Sequence, residues 1–467
     1  MALPEADVRK YASAFHKTTH HRLAKSVLNK VHIDTLASDP DATIQRGFSY
    51  TLDPPKIPLT DQKSSGRCWI FSFTNMIRRK LIKAHNLSPD FMLSQKYLLF
   101  YDHLEKCNAL LEIMYFMSKH RGVKTASLEM SNLRESYVND GGTWHAFVSL
   151  VEKYGLVPFD QYPDNGQAME TNTMGDFLSQ FVSSHGVSIE KAASHADFLK
   201  IKHAALQSCY NMLEAFLGAP PVSVTLDFTD AKGNFHRSLH KPCTPQEYYM
   251  KYVHPVVDIS QYIVLINDPR NPYHKMYSVE LLHNVLPVTK VPLDKLPSNF
   301  FFNVPIDVLR DAVFKSIKGN MPVPFAADVK HYMQNTDSRM DTFVHYEDLL
   351  GVSLLKPRKV LFENLISSPN HAMLFIGTNG NKGEWQVENS WGQENDKYPY
   401  LTMSDDWFEH YVGEIIVHRR FVPQQVKKQH DKEKKNGKIT FFPIWDVFGT
   451  LAKKRLAAGS KKPKPKN

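Results

Sequence analysis

The stretch DQKSSGRCWIFSF, Asp61 to Phe73, carries one of only four cysteines in 467 residues. Pro54, Pro55 and Pro58 precede it and predict an extended, turn-rich approach. From Cys68 to about Leu81 the spacing of Trp69, Phe73, Met76 and Lys80, with Ile70 and Ile77 beside them, predicts a helix. Cys68 then sits on the first free peptide N–H groups, at the positive end of the helix dipole, where a thiolate is favoured. Ser64, Ser65 and Gly66 supply the turn, and Gln62 lies on the same approach. A glutamine amide and a helix-start N–H can together donate to an oxyanion formed beside the sulfur, as acyl transfer requires. Taken alone, Cys68 reads more readily as an ordinary buried cysteine, as most lone cysteines are; its companions reverse that preference.

A thiol nucleophile needs a base, and the base needs an orienting partner. His371 opens the strand-like run HAMLFIG; the turn TNGNKG and a second strand-like run, EWQVEN, follow. Paired as a hairpin, they place His371 opposite position 390, within one residue of Asn389. Period-two alternation puts Trp385, Val387 and Asn389 on one face and Glu388 on the other. An imidazole thus meets an amide without reference to Cys68, and Trp391 could shield their hydrogen bond from water.

Other candidates are weaker. His16, His20 and His21 have helical metal-ligand spacing, but no carboxylate or cysteine completes a set, so a solvated face is expected. GTNGNKG is followed by no helix and is a hairpin turn, not a phosphate loop. DDWFEHY reads as a packed helix, and Cys107, among leucines on a long helix, as buried and inert.

Apolar residues make up 42% of the chain and charged residues 22%, ordinary values for a globular protein. No apolar run approaches a membrane span, and the N-terminus lacks the apolar segment of a secretory signal. Cys68, Cys107, Cys209 and Cys243 form no zinc or disulfide spacing. A cytoplasmic, reducing location is expected, with no membrane contact. The net charge is +9, but the last fifteen residues hold seven Lys or Arg and no acid. That tail could bind nucleic acid or another polyanion weakly; the nearly neutral body gives no such signal. Further helices are expected over Ser94–His120 with Ser94 as cap, from about Thr143 to Gly155, and near Asp176–Ser184 and His195–Leu217. Strands dominate after about Met321, and Lys427–Lys438 reads as a solvated connector.

The blocks Gln62…Ser65-Gly66-Arg67-Cys68-Trp69, Asn370-His371-Ala372-Met373 and Glu388-Asn389-Ser390-Trp391-Gly392 resemble the catalytic blocks of papain-like cysteine peptidases. The long separation of Cys68 from His371, with NDGGTWHAFVSLVEKYGLVP, NDPRNPYHKMYSV and VPIDVLRDAV, resembles the bleomycin hydrolase branch over roughly residues 5 to 452. The resemblance implies an α+β, two-lobed papain-like fold: an N-terminal segment (1–60) packing on the core, a helical lobe (61–160), and a mixed, mainly helical insertion (161–320). A β-rich lobe (321–425), a C-terminal arm (426–452) and a basic tail (453–467) follow. It implies Cys68 as nucleophile, His371 as base and then acid, Asn389 as orienter and Gln62 as oxyanion donor, with no metal or organic cofactor. It further implies a homohexamer, and an arm whose end meets the free amine of peptide substrates, making an aminopeptidase. Bleomycin and homocysteine thiolactone are substrates within that branch.

Two departures stand out. The branch's arm ends near the stretch that here reads WDVFGTLA, whereas this chain runs on from Lys453 to Asn467. The tail could be clipped near Ala452 or Lys453, be routed outward, or leave the cleft open to endopeptidase action. In PFAADVKH, Ala326-Ala327 replaces the branch's usual Gly-Cys pair before Asp328, a change expected to alter packing, not chemistry.

Overall fold

The computed structural model describes residues 2–449 except 37–46, 54–56, 239–240, 282–284, 288–298, 335–337, 343–345, 381–382 and 393–398. The basic tail, the candidate cut near Ala452 or Lys453, and Pro54 and Pro55 lie outside the described residues.

The helix that begins at Cys68 runs past Leu81 to His85, where Asn86 takes a left-handed φ of 53° and ends it. Trp69, Ile70, Phe73, Met76, Ile77 and Leu81 are all buried, each contributing roughly 1.5–3 kcal/mol in apolar transfer. The Gln95–His120 helix starts where expected. Ser94 Oγ accepts the Tyr97 N–H at 3.2 Å and donates to the Tyr162 carbonyl at 2.6 Å. Thr143 caps the Trp144–Tyr154 helix through the Ala146 N–H. Gly155 ends it at a φ of 79°, and a Cβ there would fall 2.1 Å from the Pro245 carbonyl carbon. The His195–Leu217 helix packs along Gln95–His120, stacking Phe198 on Tyr115 at 4.1 Å.

Among the described residues the second layer is a 12-stranded sheet. Its centre is antiparallel, in the order Tyr262–Ile266, Val412–His418, Val323–Ala327, His371–Thr378, Trp385–Glu388 and Leu401–Met403. The fold is therefore α+β, with helices first and strands later. Three strands of this sheet, Tyr262–Ile266, Met276–Val279 and Phe301–Asn303, come from the 161–320 stretch read as mixed and mainly helical; YIVLIND is strand-like by its sequence, whereas the sequence does not single out the other two. Their short apolar runs are buried between neighbours, a signal that periodicity alone does not separate from a buried helix.

Two expectations are corrected. The hairpin register does not set His371 opposite position 390. Its pairs are Leu374 with Glu388 and Phe375 with Val387, then, after a bulge, Gly377 with Gln386 and Thr378 with Trp385. The turn closes with the Asn379 N–H on the Glu384 carbonyl, which alone shifts the register by about two residues; the bulge takes back one, and Asn389 follows directly after the last paired residue, Glu388. The 427–438 charge run is likewise no loose connector, because Gln424–Asn436 is a helix. Pro423 precedes it, left-handed Gly437 (φ 64°) ends it, and Val426, His430 and Glu433 form one buried stripe.

Beyond that helix, Ile439–Phe442 joins the sheet parallel to Met276–Val279. Asp446 then pairs with Arg270 at 3.0 Å, while Arg270 is also held by Asp268 at 2.8 Å. Phe448 packs among Phe301, Phe362 and Phe442.

Candidate active site

The turn before Cys68 is tied down on several sides. The chain at residues 60–62 runs beside residues 390–392: Gln62 N–H donates to Ser390 O at 2.8 Å, and Gly392 N–H to Thr60 O at 3.0 Å. Lys63 turns at a φ of 54°, and Ser65 Oγ donates to Gln62 O at 2.5 Å. Buried Arg67 grips Asp164 with two parallel bonds of 2.8 Å and Ser65 Oγ with a third of 2.9 Å. Gly66 N–H donates to Asp140 Oδ2 at 2.7 Å. Cys68 emerges from this frame half-buried, as the first residue of its helix.

His371 opens a strand buried along its whole length, so its ring cannot swing into solvent. Its Nε2 lies 2.7 Å from Asn389 Oδ1. That Asn389 oxygen also accepts the Ser390 backbone N–H at 2.8 Å; the peptide donor identifies the atom as oxygen. The proton between His371 and Asn389 therefore sits on Nε2, which leaves Nδ1 to exchange a proton with sulfur. Burial would lower the basicity of the imidazole. The charge of Cys68, its hydrogen bond to the ring and the bond to Asn389 outweigh burial and raise it. Trp391 lies over the ring at 4.8 Å. Glu388 turns the other way and pairs with Arg79 in the interior.

Gln62 is buried beside this pair. Its Oε1 accepts from Ser390 Oγ at 2.7 Å, and its Nε2 donates to Ser65 O at 2.5 Å. An amide nitrogen carries two hydrogens, and the Ser65 bond engages one of them. The sequence reading did not single out Ser390, although it lies within the quoted block around Asn389. It likewise missed Asp140, Asp164 and Arg79, whose partners are remote in sequence.

The other cysteines are placed differently. Cys107 and Cys209 are fully buried, and contact with Cys209 together with burial pushes the Cys107 thiol well up. At the His371 strand, Ala327 pairs with His371 and Ala326 with Ala372. Asp328 accepts from Asn370 Nδ2 and from the Ser368 N–H, bracing the chain just before the histidine. A small cavity is lined by Trp69 and Ala372, the residues after Cys68 and His371, and by Gly142, Glu414 and Phe448 of the C-terminal arm, among others. The arrangement can do thiol acyl-transfer chemistry: a sulfur at a helix start, an imidazole with its outer proton fixed, and amide donors at hand.

The chain resembles proteins of this chemistry over nearly its whole length. It is 32% identical over 432 residues to a bleomycin hydrolase of Homo sapiens, covering 88% of this chain and 90% of that one. It is 31% identical to an aminopeptidase C of Lactobacillus delbrueckii subsp. lactis, covering 87% and 88%. The crystal structure of PepW from Lactobacillus rhamnosis superposes with a TM-score of 0.87 at 27% identity, over 96% of this chain and 98% of that one. Matched by the family's model from residue 2 to residue 449, the chain belongs to the Peptidase C1-like family.

Proposed function

We propose that this chain is a cysteine aminopeptidase in which Cys68 is the nucleophile, His371 the base and then acid, Asn389 the orienter and Gln62 an oxyanion donor. The reading rests above all on the His371 ring, bonded to Asn389 through Nε2 and coupled to Cys68. The Cys68 thiolate adds to the scissile carbonyl carbon, and Gln62 with a helix-start N–H takes up the oxyanion. His371 passes its proton to the leaving amine, and the C–N bond breaks to leave a thioester. Water, deprotonated by His371, then releases the acid and restores the thiol.

The restriction to free amino termini is proposed by kinship with aminopeptidase C; the arm runs close to the residues after Cys68 and His371, where Phe448 lines a small cavity with Trp69 and Ala372. By kinship with bleomycin hydrolases, the bleomycin amide and homocysteine thiolactone are included among proposed substrates. Homohexameric assembly in the cytoplasm is proposed on the same ground. Exposed Leu3, Val8, Tyr11 and Leu23 on or beside N-terminal helices that bury no residue suit such an assembly. Lys453–Asn467 is proposed to be clipped or carried outward.

The test compares a peptide with a free amino terminus against its acetylated twin, using purified full-length protein whose intact mass is measured. Cleavage of the free peptide alone, abolished by Cys68→Ala, is the expected result. Cleavage of both would replace the aminopeptidase reading by an endopeptidase one. Cleavage of neither, with Cys68 reduced, would overturn the enzymatic reading.

A further inference from the structure

The nucleophile turn rests on a carboxylate that the mechanism above does not use. Asp140 lies in the loop between the Leu128–Tyr137 and Trp144–Tyr154 helices. Its Oδ2 accepts the Gly66 N–H at 2.7 Å and the Thr171 hydroxyl. Its main-chain carbonyl accepts Trp69 Nε1 at 2.6 Å. One residue therefore holds the chain two positions before Cys68 and one position after it.

The fit leaves no slack. A Cβ on Gly66 would fall 2.6 Å from Asp140 Cβ, and one on Gly142 would fall 2.4 Å from the Trp69 ring. Asp140 is itself fixed from behind. Lys106 Nζ donates to the carbonyls on either side of it, Asn139 at 2.5 Å and Gly141 at 2.7 Å, and to Asp102 at 2.5 Å. His103, fully enclosed, brings Nε2 to 3.3 Å from Asp140 Oδ1. Burial alone would favour the neutral acid, but His103, Thr171 and the Gly66 N–H hold Asp140 ionised well below the usual carboxylate range.

From this geometry we infer that Asp140 is a positioning residue for the nucleophile, clamping Gly66 and Trp69 so that the Cys68 sulfur and the helix-start N–H keep their aim at His371 and the oxyanion. Thr171 and the Asp102–His103–Lys106 cluster hold the clamp. The inference rests on Cys68 being the nucleophile.

The experiment measures iodoacetamide alkylation of Cys68 against pH in substrate-free full-length protein, alongside kcat and KM, for wild type, Asp140→Asn and Asp140→Ala. Small misplacements of reacting groups cost about 10²-fold. Asp140→Ala is therefore expected to lower kcat by about that factor, with KM changed less than about threefold, and to move the alkylation profile toward higher pH. Asp140→Asn, which keeps an acceptor for Gly66, is expected to fall between. A folded Asp140→Ala protein with wild-type kcat and alkylation profile would overturn the inference, as would a loss of thermal stability alone. If Asp140→Ala does not fold, Thr171→Val carries the test, with a smaller loss of kcat and a shift in the same direction; an unchanged profile there overturns the inference. Slow, ordinary alkylation of Cys68 in the wild type would instead defeat the nucleophile reading itself, which separates the two failures.

Discussion

Glu388 and Arg79 form an ion pair with both side chains almost wholly enclosed, 1% and 3% exposed. Glu388 precedes Asn389, and Arg79 belongs to the helix that begins at Cys68. The pair thus links the helix carrying the sulfur to the strand that delivers the amide. Removing one partner of a buried pair strands the other charge and typically costs 3–5 kcal/mol. Glu388→Gln is expected to lose about that much stability in urea unfolding, and Arg79→Met a similar amount. A loss below roughly 1 kcal/mol in both would show the pair to be dispensable.

Asn389→Ala removes a bond that favours the protonated ring of His371. In the intact protein Cys68 and Asn389 outweigh burial and hold the imidazole above its ordinary value, about 6.5. Activity needing the imidazolium is therefore present below the folded value and lost as pH rises through it. Without the Asn389 bond the folded value falls, so the alkaline limb of kcat/KM is expected to move to lower pH, with a rate loss on the order of 10². An unmoved limb would show that Asn389 does not set the ring's basicity.

The clarity of these sites in the sequence was uneven, for a physical reason. Cys68, Ser94, Thr143 and Gly155 announce themselves through neighbours within a few residues, because capping and helix periodicity are local. The hairpin brought His371 near Asn389 despite a register off by one residue, since a turn placed differently changes pairing without separating the strands. Asp140 beneath Gly66, Asp164 on Arg67 and Glu388 on Arg79 were illegible. Each joins segments distant in sequence, and a lone acid in a loop reads as solvated until the fold encloses its partner.

Iodoacetamide should separate the cysteines. Cys107 and Cys209 are fully enclosed and the Cys107 thiol is pushed well up, whereas Cys68 is half-buried at a helix start. In native protein near neutral pH, peptide mass mapping should find Cys68 modified first, with Cys107 and Cys209 reacting only on unfolding. Early labelling of Cys107 would contradict the packing between its helix and His195–Leu217.

The arm's anchor has a readable consequence for specificity. Asp446 is held by Arg270, which also grips Asp268. Asp446→Ala should loosen the segment carrying Phe448 and raise cleavage of acetylated relative to free peptide by about tenfold, roughly 1.4 kcal/mol of discrimination. An unchanged ratio, with the variant folded, would mean that the arm does not exclude blocked amino termini.

Ser94→Ala removes both a helix cap and a bond to the Tyr162 carbonyl. A cap alone is worth typically about 1 kcal/mol, so a stability loss of about 1–2 kcal/mol is expected by urea unfolding, with kcat little changed.

The ladder between residues 60–62 and 390–392 joins segments that leave the ribosome far apart in time; Gln62 and Ser390 are 328 residues apart. A growing chain that has displayed Cys68 still lacks His371, Asn389 and the residues 390–392 that hydrogen-bond the turn before the thiol. The chemistry can arise only after most of the molecule has been made and the distant ends of this ladder have met. The order of the residues along the chain is thus a safeguard during synthesis: a half-made polypeptide exposes a cysteine, but not a peptidase.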